Sequence, residues 1–395
     1  MYGGGNTLEK WARMITQADP IISAILQRDQ GFLLHHDDAD GCCAAAILLH
    51  LIATLASPKN AASLAYASPE NHSVDITPRL EKLLTETHPT SILSVDLALT
   101  KSVTKLAEML DALHARMLIY DHHTHSTPRQ WPAASTYLNP LNHNLGNVPA
   151  SYFAYILHKH YTTTEDSCWV AAIGTVADYR VHECPDLIQQ VANRYPNLYP
   201  YERINQQTAL RSPLMTMGHL INAGYQHADH HGARIAVEAL IEALNLHDPT
   251  ILLRGATRRT QTLQRFRQDV AQELQEHLDG FESTAESHQD AGLAFYFLTP
   301  KFNITSELST QLQHKYPDTI LAIIAPETKK TLKVSLRRGI NVETNLAVLA
   351  EATSSSLDGA SGGGHQDAAG CTLPTDSLND WKKTILTLLC KMTPR

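Results

Sequence analysis

Three short apolar runs, Gly31 to His36, Ser91 to Asp96 and Arg116 to Tyr120, alternate with stretches whose apolar residues recur at mixed spacings of three and four. These stretches are Gly41 to Leu55, Ser102 to Ala115, Pro149 to Tyr161 and Ser167 to Ala177. Short β-like runs separated by helical ones predict strands joined by crossover helices, and so a parallel sheet flanked by helices. Between about Leu187 and Ser287 the strand signals vanish and the pattern is helical, including a polar stretch from Thr257 to Leu278. β-like runs return at Leu293 to Leu298, Thr319 to Ala325, Leu332 to Leu336 and Cys371 to Leu373, with a helical stretch at Ile304 to Lys315. The expectation is an α/β chain in three parts: a parallel-sheet domain over 1–186, a helical connector over 187–287 and a smaller α/β domain over 288–395.

Composition narrows the class. The longest apolar run, Cys42 to Ala56, is broken by His50 and falls short of the roughly 20 residues that span a bilayer. The first residues lack a basic segment followed by an apolar one, so neither a membrane helix nor a secretory leader is expected, and a cytoplasmic location follows. Six cysteines, at 42, 43, 168, 184, 371 and 390, show no C-x-x-C spacing, which suits reduced thiols. A formal charge of −8 excludes a broad basic surface for long duplex DNA while leaving room for a local basic groove. Of 22 histidines, most, such as His50, His158, His160 and His277, stand singly in helical patterns as surface or satisfied core residues.

The chemistry sits at the strand ends. Asp38 and Asp40, Asp96, and Asp121 each lie at or just past the C-terminal end of a predicted strand, the edge where open α/β sheets build their sites. Within His35-His36-Asp37-Asp38-Ala39-Asp40-Gly41, an extended reading places His36, Asp38 and Asp40 on one side, with His35 and Asp37 facing the other way. Each element also has an ordinary reading. The first is a solvated acidic turn, Asp96 a common strand-end acid, Asp121-His122-His123 a chance tripeptide, and Ala172 to Asp178 a buried helix with a polar end. A second tripeptide, Asp229-His230-His231, falls inside a predicted helix after no strand and is expected to be incidental. Taken in order, however, carboxylates close four successive elements and imidazoles accompany two of them. That is the donor set of a two-metal site, in which ions roughly 3.5–4 Å apart share a carboxylate, activate water and stabilise the leaving oxygen of a phosphoryl transfer. Imidazole and carboxylate without thiolate favour Mn(II), with Mg(II) as the second candidate. Farther on, the run Gly359 to His365 is either a flexible surface loop or a place where backbone N–H groups approach a phosphate closely. Arg337, after a predicted strand, is suited to a bidentate phosphate grip, and Arg338 to a solvated charge.

The ordered set His36-x-Asp38-x-Asp40-Gly41, Asp96, Asp121-His122-His123 and Asp178 resembles the four motifs of the DHH phosphoesterase superfamily. Gly362-Gly363-Gly364-His365-x-x-Ala368-Ala369-Gly370 resembles the glycine-rich motif of its C-terminal DHH-associated domain. The histidine two residues before Asp38 and the Asn139-Pro140 turn are most similar to the RecJ-like branch, especially its compact archaeal-type members. In the branch of oligoribonucleases and cyclic-dinucleotide phosphodiesterases the first histidine usually lies farther upstream, where this chain has Leu34. The resemblance implies that His36, Asp38 and Asp96 hold one Mn(II), that Asp40, Asp96, His122 and Asp178 hold the other, and that Asp96 bridges them. It further implies that Asp121 orients His122, that His123 contacts the scissile phosphate, and that Gly362, Gly363, Gly364, His365 and Arg337 bind substrate. The implied activity is exonucleolytic hydrolysis of single-stranded DNA or RNA. The charge of −8 and only 6% aromatic residues leave few stacking platforms, so an oligoribonuclease or cyclic-dinucleotide phosphodiesterase is the alternative. A non-catalytic replication-associated binding protein is a third, opposed by the full set of motif carboxylates. Expected partners are single-stranded nucleic acid or a short oligonucleotide, and a replication or repair protein; no membrane is expected.

Overall fold

The computed structural model of the chain describes residues 4–27, 30–57, 64–124, 130–364 and 366–392. They form two compact units, Met1–Arg267 and Gln268–Arg395.

In the first unit, strands β1 (Gly31–His35), β2 (Ala65–Ala67), β3 (Ser91–Val95), β4 (Arg116–Tyr120) and β5 (Ser135–Leu138) make a sheet of order β2-β1-β3-β4-β5. Every pair is parallel, with Leu33 opposite Leu93 and Leu93 opposite Leu118. The helices are α1 (Gly4–Gln27), α2 (Ala39–Leu55), α3 (Pro78–Thr87), α4 (Val103–Leu113), α5 (Ala150–Thr162), α6 (Cys168–Ala177), α7 (Pro185–Arg194), α8 (Gln206–Leu210), α9 (Pro213–Asn245) and α10 (Thr250–Arg254). The division between the units falls inside α11 (Arg258–Thr284).

The period of two along each strand sorts apolar side chains between two cores. Leu33, Leu93, Leu118 and Tyr120 enter the core built with α1, α2, α5, α6 and α9. Phe32, Leu34, Ile92, Met117 and Ile119 enter a second core with α3 and α4. Strands buried on both faces give continuous apolar runs, which is why β1, β3 and β4 emerge from the pattern within one residue of their bounds. β2 and β5 are edge strands, short and largely half-buried, and carry no such run.

Of the helical stretch expected as a connector, α7 to α10 belong to the first unit, with α9 against α2 and α6, and the boundary between the units falls in α11. The small apolar residues of α9, including Ala233, Ala236 and Ala239, are buried in the same core as α2. α9 is also not one helix. It breaks at Ala228 and Asp229, where Asp229 takes a left-handed φ of 51°, so the helix expected to carry Asp229-His230-His231 is interrupted at that tripeptide.

The second unit is a mixed sheet of order β10-β11-β9-β8-β7-β6. Its strands are β6 (Glu286–His288), β7 (Leu293–Phe297), β8 (Ile320–Pro326), β9 (Thr331–Arg338), β10 (Ser361–Gly364) and β11 (Ala368–Pro374), and its helices α12 (Thr305–Lys315), α13 (Leu346–Ser354) and α14 (Leu378–Met392). Only β7 and β8 pair in parallel. One face of this sheet packs on α13 and α14 through Leu349, Trp381 and Ile385, and the other on α11 and α12 through Leu274, Phe281 and Leu308. Among the described residues no helix is long and apolar enough to cross a membrane, and five of the six free cysteines are buried.

Candidate active site

The strand order of the first sheet changes direction between β1 and β3, whose crossovers to α2 and α4 lie on opposite faces, and ligand sites of open α/β sheets form at such a point. The chain leaves β1 at His35 and turns sharply into α2. Asp38 caps that helix by accepting from Gly41 N at 3.0 Å, satisfying an otherwise unpaired amide. A side chain at Gly41 would meet His36 O at 2.3 Å, so the turn needs glycine. Next door, Asp96 follows β3 in the left-handed region, φ 63°, a strained conformation of the kind stored at functional sites.

These turns gather the residues. His36 Nδ1 lies 2.9 Å from Asp38 Oδ2 and 3.8 Å from Asp96 Oδ2. His122 Nε2 lies 3.1 Å from Asp96 Oδ1 and 3.8 Å from Asp40 Oδ2, while its Nδ1 is 3.8 Å from Asp178 Oδ2. Among the described residues three tight donor groups result, His36/Asp37/His72, His36/Asp38/Asp96 and Asp96/His122/His123, and Asp96 is common to the last two. Asp40 and Asp178 stand one step back. Asp40 accepts from the first amides of α5, Ala150 N at 2.7 Å and Ser151 N at 3.0 Å, where a helix N-terminus favours negative charge. Asp178 ends α6 and accepts from Arg180 Nε at 3.4 Å.

Asp121, expected to orient His122, also reaches His123. Its Oδ1 lies 2.7 Å from His123 Nδ1, and its amide continues the ladder to Leu138 O. The strand has ended at Tyr120, and His122 and His123 both reach Asp96, with their rings 4.6 Å apart. His122 is held by Asn147, whose amide meets Nδ1 at 2.5 Å. Nor does Asp37 face away from the site: its Oδ1 is 3.5 Å from His36 Nε2 and 2.5 Å from His72 Nδ1. Alternation stops when the strand does. Asn147, Asp37 and His72 were all missed by pattern, because each sits in a turn and reaches the site only through the tertiary fold.

Crowded carboxylates dominate the electrostatics. Burial alone would lower His36, but Asp38, with Asp37 and Asp96, overrides it and raises the imidazole to about 10. Asp96 is pushed well above the usual carboxylate range by burial and by Asp38 and Asp40. Burial raises Asp178 to about 6 against the pull of His122. Asp38 moves the other way: despite burial, His36 holds it down. His123 is raised, since its bond to Asp121 and the charge of Asp96 outweigh burial. Protons thus stand among these acids where a cation would neutralise them. Both ring nitrogens of His36, together with Asp96 Oδ2 and Asp37 Oδ2, are buried without a hydrogen-bond partner, which costs free energy unless another ligand satisfies them. The donor types and these unsatisfied atoms fit a divalent metal.

In the second unit the glycines differ in kind. A side chain at Gly362 would meet Ala350 O at 2.4 Å, Gly364 has φ 144°, and Gly363 faces open space. Gly363 neighbours Gly370, which neighbours Ser335, so two bare residues and a serine form a row two positions from Arg337. Arg337 lies within β9, not after it; burial lowers its pKa, and it donates to Leu336 O at 3.1 Å. Arg338, expected to be a solvated charge, instead pairs with Asp367 and donates to Val342 O at 2.6 Å. His365 lies outside the described residues.

Residues 294–390 match the DHHA1 domain family. By structure the chain is similar to RecJ from Thermus thermophilus in complex with Mn2+, with a TM-score of 0.72 at 14% identity over 98% of this chain; it spans 55% of that protein. It is also similar to an exonuclease RecJ bound to manganese (TM-score 0.69, 15% identity, 96% of this chain and 95% of that one). A third match is the DHH domain of a protein described as a member of a family of ribosomal proteins (TM-score 0.71, 17% identity, 98% and 92%). No curated protein sequence matches the chain. The chain thus shares the fold of these RecJ and DHH-domain structures and carries a DHHA1 domain in its second unit. That fold is RecJ-like.

Proposed function

We propose that the chain is a metal-dependent phosphodiesterase, a RecJ-like exonuclease that hydrolyses single-stranded DNA or RNA with two Mn(II) ions. The observation that carries this reading is the sharing of buried Asp96 between the groups His36/Asp38/Asp96 and Asp96/His122/His123. His36, Asp38 and Asp96 would hold one ion. Asp96 and His122 would hold the other with Asp40 and Asp178, whose carboxylates lie 3.8 Å from His122 Nε2 and Nδ1 respectively. Bound there, two such ions supply an activated water and charge neutralisation for in-line displacement at phosphorus. The chain's own residues do the rest. Asp121 holds His123 by Nδ1, leaving the half-exposed ring, 43% open, to donate to a phosphate oxygen as an imidazolium. Asn147 fixes the ring of His122, and the α5 amides fix Asp40.

The second unit would bind substrate by itself through the bare backbone of Gly363 and Gly370 and the guanidinium of Arg337, a combination suited to a sugar-phosphate chain. A short-substrate enzyme is the second reading, favoured by the net charge of −8 and by similarity to an exopolyphosphatase-related protein from Bacteroides fragilis (TM-score 0.51, 13% identity, 95% of this chain and 97% of that one). A length series of labelled DNA and RNA, from dinucleotide to long single strands, with Mn(II), Mg(II) or chelator, tests both. Mn(II)-dependent degradation of long strands is expected; cleavage of dinucleotides alone would favour the second reading, and no cleavage with either metal would sink both.

A further inference from the structure

His36 has two faces. Nδ1 looks toward Asp38 and Asp96, and Nε2 toward Asp37 Oδ1 at 3.5 Å. Asp37 is fully buried, and its Oδ1 also meets His72 Nδ1 at 2.5 Å. The ring of His72 lies 4.6 Å from that of His36 and stacks on Tyr225 at 4.4 Å, with the planes 5° apart.

His72 reaches this position at a conformational cost. Asn71 and His72 are successive left-handed residues, φ 58° and 52°, a backbone that persists only where its surroundings over-determine it. The surroundings come from the break in α9: Tyr225 supplies the stacking face, and Asp229 Oδ1 accepts from Asn71 N at 2.8 Å. Asp229 is itself left-handed. The Asp229-His230-His231 segment is therefore not incidental, since its aspartate pins the turn that presents His72.

We propose that Asp37 and His72 are positioning residues for the metal-binding nitrogen of His36. His72 Nδ1–H donates to Asp37. Asp37 Oδ1, 3.5 Å from His36 Nε2 and not hydrogen-bonded to it in this structure, is placed to accept Nε2–H once the ring seats on a metal, so that in neutral His36 the proton stays on Nε2 and the lone pair of Nδ1 faces Asp38 and Asp96. A carboxylate behind a ligating imidazole fixes its tautomer and ring plane and raises its basicity. The same three side chains also lie close enough to hold a cation of their own. Against that, 2.5 Å between His72 and Asp37 is a hydrogen-bond separation that a cation would have to break. The proposal rests on the metal-binding reading above.

The test is Mn(II) titration of the full chain by calorimetry, with binding counted per chain, for the unmodified protein and for Asp37→Leu, Asp37→Asn and His72→Phe. Asp37→Leu removes the acceptor, Asp37→Asn keeps one acceptor oxygen, and His72→Phe keeps the stacking on Tyr225 while losing the donor. The expected result is a roughly 10–100-fold weaker site in Asp37→Leu, a smaller loss in His72→Phe, recovery in Asp37→Asn and an unchanged second site throughout. A merely structural role would lower the melting temperature without singling out one site. Equal affinities in Asp37→Leu and the unmodified chain would overturn the relay, as would a third Mn(II) per chain lost on His72→Phe. Absence of Mn(II) binding by the unmodified chain would overturn the metal-binding reading and the relay with it.

Discussion

Gly174, in the middle of α6, tests whether the packing beneath the site sets its chemistry. A Cβ at this position would lie 2.4 Å from Ser151 Oγ, 2.7 Å from Ser151 Cβ and 2.8 Å from Asp40 Oδ1. Ordinary non-bonded contacts begin near ~3.5 Å, so in Gly174→Ala the Ser151 side chain must retreat by about 1 Å and the Asp40 carboxylate by roughly two thirds of that. The helix gains about 1 kcal/mol in propensity, while overpacking costs about 1–3 kcal/mol, leaving a net loss of about 0–2 kcal/mol. At about 2–4 °C per kcal/mol, the melting temperature falls by no more than about 8 °C, and the protein stays folded at 25 °C. Activity should fall much further, because displacement of a positioned group by about 1 Å can cost on the order of 100-fold, or about 2.7 kcal/mol of transition-state stabilisation. The assay is Mn(II)-dependent cleavage of a labelled single strand beside a thermal melt of the same preparation. Full activity in Gly174→Ala, or a loss that merely tracks the unfolded fraction, would refute the argument that α6 holds Asp40 in register.

Asp96→Asn keeps the shape of the shared ligand and removes its charge. Metal-free protein should melt higher at neutral pH, because the cost of keeping a proton on Asp96 beside Asp38 and Asp40 is gone, while stabilisation by Mn(II) should vanish; a lower metal-free melting point would contradict the electrostatic account. For Asp178 the rise from 3.8 to about 6 means that the fold favours its protonated form. The associated stability of metal-free protein, on the order of 3 kcal/mol, is fully present below pH ~4 and lost as pH rises through ~6. Denaturant titrations of the metal-free protein between pH 4 and 7, compared with Asp178→Asn, should show that decline only in the unmodified chain. Mn(II) must displace these protons, so its affinity should increase with pH over the same window, and calorimetric enthalpies should depend on the buffer; buffer-independent enthalpies would count against proton displacement. In the second unit, Gly362→Ala should lower the melting temperature by crowding Ala350 O, whereas Gly363→Ala should leave it unchanged and weaken binding of a fluorescent oligonucleotide. The reverse pattern would remove Gly363 from the proposed binding surface.

The strands that build the site were legible because they are buried on both faces, and the chain advertises such strands as apolar runs closed by an acid. β1, β3 and β4, with Asp38, Asp96 and Asp121 beyond them, follow from that pattern. The resemblance of the ordered motifs to DHH phosphoesterases added the fold as a whole. What could not be read were contacts made after the strands end. Extending a period of two past His35 put Asp37 on the wrong side, because the chain is already turning into α2. The role of Asp121 beside His122 came from the resemblance alone, and the structure adds a contact from Asp121 to His123. His72 gives no signal in sequence: its place depends on a break in a helix about 150 residues away, within a stretch that looked uniformly helical. The three glycines of Gly362-Gly363-Gly364 looked equivalent, yet packing, backbone angle and open space make different demands on each.

Five consecutive residues, Asn147 to Ser151, support two different parts of the site, through Asn147 on His122 and the amides of Ala150 and Ser151 on Asp40. Their identities matter unequally, since two of the three supports are backbone groups that any non-proline residue at 150 or 151 supplies. Their spacing matters absolutely. An inserted or deleted residue between Asn147 and Ala150 would rotate or shift the start of α5 and unseat either His122 or Asp40. Relatives that keep this site should therefore vary in sequence across the segment while preserving its length, a constraint on chain register that residue-by-residue substitution would never reveal.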